Sequence, residues 1–149
     1  MICPVCKESL KVVVKEQASF IGGNLTLISM ICEKCSYKSF DIIPSESGSP
    51  SRISFHVKSE QDLNVLIARG ASASVLIPEI GASIKPGTAS PGFITTVEGV
   101  LRKFKKHMKT QKAQSLVDSL LCGKPFTIIV EDPCGVSAIN SLEVETENL

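Results

Sequence analysis

Most of the chemistry this chain could perform rests on its six cysteines. Four of them form two Cys-x-x-Cys pairs, Cys3-Pro4-Val5-Cys6 and Cys32-Glu33-Lys34-Cys35, with 25 residues between the pairs. Two residues between ligands let a tight turn aim both sulfurs at one ion. A second such turn on a facing hairpin completes a tetrahedron around zinc, with Zn–S near about 2.3 Å. The gap exceeds the commonest spacing of roughly 15–20 residues. It holds two strand-like runs, Leu10–Val14 and Leu25–Ile31, around the turn former Gly22-Gly23-Asn24. That is the layout of a zinc ribbon. The rival reading, a pair of thioredoxin-like redox motifs, needs each pair to open a helix after a strand, and neither has that setting. The amino terminus reads as lacking a secretory leader, so the expected compartment is the reducing cytoplasm, where paired cysteines point to metal rather than disulfides.

Cys3, Cys6, Cys32 and Cys35 together close the coordination sphere, so the expected cofactor is one structural zinc ion with no open position for catalysis. Four thiolates around a divalent ion leave the site at −2, and the formal protein charge of +1 becomes −1. Lys7, Lys34 and Lys38 beside the knuckles can offset part of that charge, as can backbone N–H groups pointing at sulfur; equally, these lysines can be ordinary solvated surface. Knuckles of this kind often place glycine after the second cysteine, where φ is positive. Lys7 and Ser36 stand there instead, which predicts local strain. The first 42 residues contain little other core, so their folding should depend on the metal. Cys122 and Cys134 are read as small buried hydrophobes.

Other catalytic constellations are sparse. His56 and His107 are the only histidines, one on the polar face of a strand and the other in a lysine-rich helix. A Cys134–His56–Asp132 nucleophile set can be written down, but nothing in the spacing supports it. Phosphate-binding glycine motifs are absent. The reading is of a protein that is not an enzyme.

The elements that must position these residues follow from patterning. In 149 residues, 43% hydrophobic and 21% charged side chains provide a core and argue against disorder. The uncharged stretch Ala18–Met30 is too short and too polar to cross a bilayer, so no membrane partner is expected. Residues 43–51, rich in Ser, Pro and Gly, read as a linker or exposed loop. Beyond it Ile53, Phe55 and Val57 alternate with Ser54 and His56, as one buried and one wet strand face require. Strand candidates follow at Leu63–Ala68, Ser74–Ile77 and Ala82–Ile84, and Pro86-Gly87 and Pro91-Gly92 suit type II turns. Phe126–Val130 reads as a fully covered central strand. Between them, Thr96–Cys122 is helical. Thr95 and Glu98 have capping-box spacing and Gly123 stands at the C-terminal cap. Unbroken, these residues would run about 40 Å, so two helices with a break within Thr110–Gln114 are predicted. Val97, Leu101, Phe104 and Met108 share one face of the first. Most cations of the basic run Arg102–Lys112 fall opposite; that face is either solvated or a dock for an acidic protein or RNA. The acidic tail, Glu143, Glu145 and Glu147, reads as a flexible end. The fold class is mainly β (α+β): a zinc ribbon at 1–44, then a jelly-roll or double-stranded β-helix domain at 45–149 with a helical insertion at about 96–122.

Several segments, in order, closely resemble the ZPR zinc-finger protein family over about residues 1–140. They are Cys-Pro-Val-Cys, Cys-Glu-Lys-Cys-Ser-Tyr-Lys, residues 57–63, Ile77-Pro78-Glu79-Ile80-Gly81, Thr95-Thr96-Val97-Glu98-Gly99 and Phe126–Gly135 with its Asp132-Pro133-Cys134-Gly135. The resemblance implies an initiation-factor-like zinc finger followed by a double-stranded β-helix domain. It also implies binding to translation elongation factor 1-alpha, a GTPase, with assistance to its folding. Residues Glu79, Thr96, Glu98, Asp132 and Gly135 fall in the matching segments and become candidate partner contacts. Eukaryotic members carry the unit twice, whereas one copy is present here, as in archaeal members. Val136 departs from the family's usual Asn and Cys134 from its usual small residue. The alternative function is a nucleic-acid-binding zinc ribbon.

Overall fold

The computed structural model describes residues 1–18, 24–44 and 47–149. The turn expected at Gly22-Gly23 and the Ser45-Glu46 part of the expected linker lie outside the described residues. Strands β1 (Lys11–Ala18), β2 (Asn24–Ile31) and β3 (Lys38–Pro44) form an antiparallel sheet in the order β1-β2-β3, with Val14 opposite Ile28 and Ile28 opposite Asp41. Leu25 and Ile42 are its buried apolar residues, while β1 is exposed along its whole length. So small an apolar content cannot hold three strands together unaided, and the sheet needs a staple at its end.

The remaining strands are β4 (Ser51–Val57), β5 (Leu66–Arg69), β6 (Ser74–Ile77), β7 (Ala82–Ile84), β8 (Phe93–Thr96), β9 (Phe126–Asp132), β10 (Ala138–Ile139) and β11 (Val144–Asn148). They build two antiparallel sheets, β11-β4-β9-β6-β7 and β10-β5-β8. Strand β9 is central in the larger one, bonded to β4 with Phe55 opposite Ile128 and to β6 with Val75 opposite Val130. Ile53, Phe55 and Val57 point inward, and His56 remains exposed, as the alternation requires. The core joins these residues to Ile67 and Ile139 of the smaller sheet and to Val97, Val100, Leu101, Phe104, Val117 and Leu120 of the helices. Each such side chain contributes roughly 1.5–3 kcal/mol on burial, so the helices are part of the core and not an ornament on it.

Helix α1 covers Val97–His107 and α2 covers Gln111–Leu121. The N-cap is Thr96, whose side chain accepts from the Gly99 N–H at 3.1 Å, one residue later than the predicted capping box. The reason is that β8 stays paired with β5 through Thr96, opposite Leu66, so Thr95 lies inside the strand and the helix opens one residue later. The break falls at Met108–Thr110, at the edge of the predicted window. Thr110 caps α2 by accepting from the Ala113 N–H, and the Gln114 amide donates to the Met108 carbonyl. Gly123 (φ 97°) ends α2 in a Schellman turn: its N–H donates to Leu120 O, and the Lys124 N–H donates to Ser119 O.

Four expectations are corrected. Leu63 belongs to a 3₁₀ turn (Glu60–Asn64), not to the strand that follows it. Neither Gly87 nor Gly92 has positive φ, so neither Pro-Gly pair is a type II turn; Gly92 instead lets the chain pass close to Arg69 O and Ile42 O. The acidic tail is strand β11, because β4 offers a free edge whose backbone groups it satisfies. Cys122 and Cys134 are exposed, one at the C-cap of α2 and the other in the turn after β9, where no core reaches them.

Candidate metal centre

Two turns present the four sulfurs. In the first, the Cys3 N–H donates to Glu8 O at 2.7 Å and the Lys7 N–H to Cys3 O at 3.0 Å; in the second, the Cys32 N–H donates to Tyr37 O at 2.8 Å. Lys7 (φ 63°) and Ser36 (φ 60°) are the non-glycine residues with positive φ among those described, so the strain expected after each second cysteine is present at both knuckles. The second knuckle repeats the first in its donors to sulfur: Val5 and Cys6 N–H groups reach Cys3, Lys34 and Cys35 reach Cys32, Glu8 reaches Cys6, and Tyr37 reaches Cys35.

All four Sγ atoms lie within 4.8 Å of one another. Across the knuckles Cys3 and Cys35 are 3.5 Å apart and Cys6 and Cys32 3.4 Å. A tetrahedron with the usual Zn–S bond has S···S edges of about 3.8 Å, so the donor set fits zinc, whereas a disulfide would need about 2.05 Å. Cys3 and Cys32 are buried and Cys6 and Cys35 half-buried. Without a cation the cluster cannot ionise evenly. Burial pushes the Cys3 thiol up, but the N–H groups of Cys6 and Val5 and the neighbouring thiols bring it down to about 7. The Tyr37 N–H pulls Cys35 down, but burial and the thiols of Cys6, Cys3 and Cys32 push it up to about 12. A divalent ion removes that conflict by drawing all four into the thiolate form. Lys34 does not face the sulfurs as a free charge, because its ammonium bonds Glu8 at 2.6 Å, and Lys11 meets Glu33 at 3.6 Å. The first pair ties the two turns together, and the second ties β1 to the second turn. The four cysteines fit one zinc ion, and their thiolates would fill all four coordination positions, leaving none for water.

Each of the five residues suggested as partner contacts has a local structural role. Glu79 accepts from the Thr127 N–H at 2.8 Å, satisfying the start of β9, while Asp132 lies at the other end of that strand, about 17 Å away along an extended chain. Thr96 caps α1, and Glu98 pairs with Arg102 at 2.7 Å. Asp132 has no exposed surface. Its carboxylate accepts from the N–H groups of Cys134 (2.9 Å), Val136 (3.0 Å) and Ser137 (2.7 Å) and from the Ser137 hydroxyl. Burial alone would raise its pKa; the Ser137 hydroxyl and the three N–H groups more than offset this and hold it below the ordinary carboxylate value. Gly135 (φ 63°) closes the same turn against the backbone of Gly48 and Ser49, where no side chain fits. The Asp-Pro-x-Gly segment is therefore a self-satisfied turn. His56 bonds Thr127 at the end of β9 remote from Asp132, so a Cys134–His56–Asp132 set is not assembled.

Sequence reasoning missed Arg69, which is almost fully buried. It donates to Ala73 O at 2.9 Å, Ser90 Oγ at 3.1 Å and Pro91 O at 3.3 Å, and lies over the Phe93 ring at 5.4 Å. Burial pulls its pKa down and the Asp132 charge opposes this. An arginine in the short apolar strand Leu66–Arg69 is the only sequence signal, and it does not name its acceptors.

The ZPR1 jelly-roll domain family matches residues 61–148. The chain belongs to the ZPR1 family. An uncharacterized ZPR1-like protein of Methanocaldococcus jannaschii is 36% identical over 164 aligned positions, covering 99% of this chain and 83% of that protein. One from Pyrococcus horikoshii is 30% identical, covering 99% and 75%. The zinc finger chaperone zpr1 of Schizosaccharomyces pombe is 34% identical over 77% of this chain, which spans 28% of that longer protein. Zinc finger and chaperone are thus the names carried by ZPR1 relatives. Among the described residues no helix is long and apolar enough to cross a membrane.

Proposed function

We propose that this chain is a non-enzymatic, zinc-dependent binding protein that engages translation elongation factor 1-alpha in the cytoplasm and assists its folding. The observation that carries the reading is a closed four-thiolate site in a ZPR1-family chain: the metal shapes a surface and leaves no coordination position for substrate. The chaperone name belongs to the fission-yeast relative, and the choice of elongation factor comes from the family resemblance of the sequence segments. Such a factor must prefer an intermediate of its client to the finished protein, since a ligand with equal affinity for both states shifts nothing.

The test is pull-down and calorimetry of the zinc-loaded chain against elongation factor 1-alpha from the same source, newly refolded and nucleotide-bound. Tighter association with the refolding form supports the proposal. No association with either form contradicts it.

A further inference from the structure

We propose that the groove between β7 and the elbow of the helical hairpin docks an acidic protein segment anchored by an apolar side chain. The groove encloses about 530 Å³, within the roughly 300–1,000 Å³ range that seats a small ligand or a few side chains. Its lining is apolar at Ile84, Phe104, Met108 and Ala113 and basic at Lys85, with His107 beside them and no carboxylate among the lining residues.

The charge around it is lopsided for a physical reason. The run Arg102–Lys112 carries six Lys and Arg and no acid. Three of the six already have partners: Arg102 pairs with Glu98, Lys105 with Asp118, and Lys103 lies over Phe93 at 4.8 Å. Lys106, Lys109 and Lys112, with Lys85, have no carboxylate within ion-pair distance among the described residues, and all four are exposed. Lys106 and Lys109 flank the lining residues His107 and Met108 in sequence, and Lys112 precedes Ala113. The apolar hollow thus carries one unpaired cation, Lys85, in its own wall and adjoins a helical elbow whose Lys106, Lys109 and Lys112 are also unpaired among the described residues.

That combination selects its occupant. A phosphate or other small anion gains nothing from the apolar wall. A single-stranded nucleic acid gains most from a platform of aromatic faces, and in this lining Phe104 is 3% exposed, which leaves the His107 imidazole alone to stack. A segment placing Leu or Phe in the hollow and Asp or Glu on either side satisfies both features. The inference concerns the chemistry of the seated segment and does not depend on the elongation factor being its source.

The experiment is fluorescence anisotropy with the full, zinc-loaded chain and a labelled peptide alternating Glu with Leu and Phe. It is repeated with Gln for Glu, with Ser for Leu and Phe, and against oligouridylate as competitor. We expect each altered peptide to bind at least about tenfold more weakly than the parent, and the parent to weaken as salt rises. The double variant Lys106→Glu, Lys109→Glu and the groove-filling Ala113→Trp should each lose about tenfold or more, with zinc content and thermal midpoint unchanged. Should a variant fail to fold, the peptide series on the unaltered protein decides. No binding of the parent peptide, equal binding of the Ser peptide, equal competition by oligouridylate, or folded variants that bind as the parent does would each overturn the proposal.

Discussion

At Lys7 and Ser36 the backbone turns left-handed, and a side chain there costs roughly 1–2 kcal/mol that glycine would not incur. Glycine loses roughly 0.5–1 kcal/mol of that advantage through its freer unfolded state. We therefore expect Lys7→Gly and Ser36→Gly each to gain about 0.5 kcal/mol, seen as a higher chelator concentration needed to strip zinc. A loss of zinc retention in both would show that these side chains contribute something beyond strain. Asp132 is the opposite case, a buried carboxylate whose four short bonds organise a turn. Asp132→Ala leaves three N–H groups without an acceptor and should cost about 3–5 kcal/mol in urea unfolding. Its folded pKa lies below the unfolded value near about 3.9, so its contribution is complete above that value and is lost as pH falls through the folded pKa. The stability difference between the parent and Asp132→Asn should accordingly be constant from pH 7 to about pH 5 and shrink below it. A difference that grew on acidification would contradict this.

Among the elements, legibility follows how local the determining force is. The inward face of β4, the strands Ser74–Ile77 and Ala82–Ile84, the central place of β9 and the Gly123 cap can be read because alternation, burial and positive φ leave marks on neighbouring residues. The tail strand β11 and the one-residue shift of the α1 cap cannot, because both depend on pairing with distant strands, β4 and β5. At the zinc site the ligands are legible from spacing alone, whereas the burial of Arg69 and Asp132 depends on loops far apart in sequence. The cap offers a clean test of one candidate contact. Thr96→Ala should destabilise by about 1 kcal/mol in thermal unfolding, and Thr96→Ser should restore most of it. Were the serine variant to keep stability but lose binding to the elongation factor, Thr96 would be a contact as well as a cap.

For the whole molecule, two parts of different origin of stability share one chain. The jelly-roll and its hairpin hold a continuous apolar core, while the amino-terminal sheet has Leu25 and Ile42 and a metal. Chelation should therefore melt residues 1–44 and leave amide protection in β4, β6 and β9 intact, as read by hydrogen exchange. Simultaneous loss of protection in both parts would mean that the metal supports the jelly-roll too. The most direct test of the metal centre itself is zinc analysis combined with sulfur-edge and zinc-edge X-ray absorption on protein purified without chelator. One zinc per chain in an all-sulfur shell near about 2.3 Å is the expected result. A shell containing nitrogen or oxygen, a substoichiometric ion, or oxidised Cys3–Cys35 and Cys6–Cys32 pairs would contradict it.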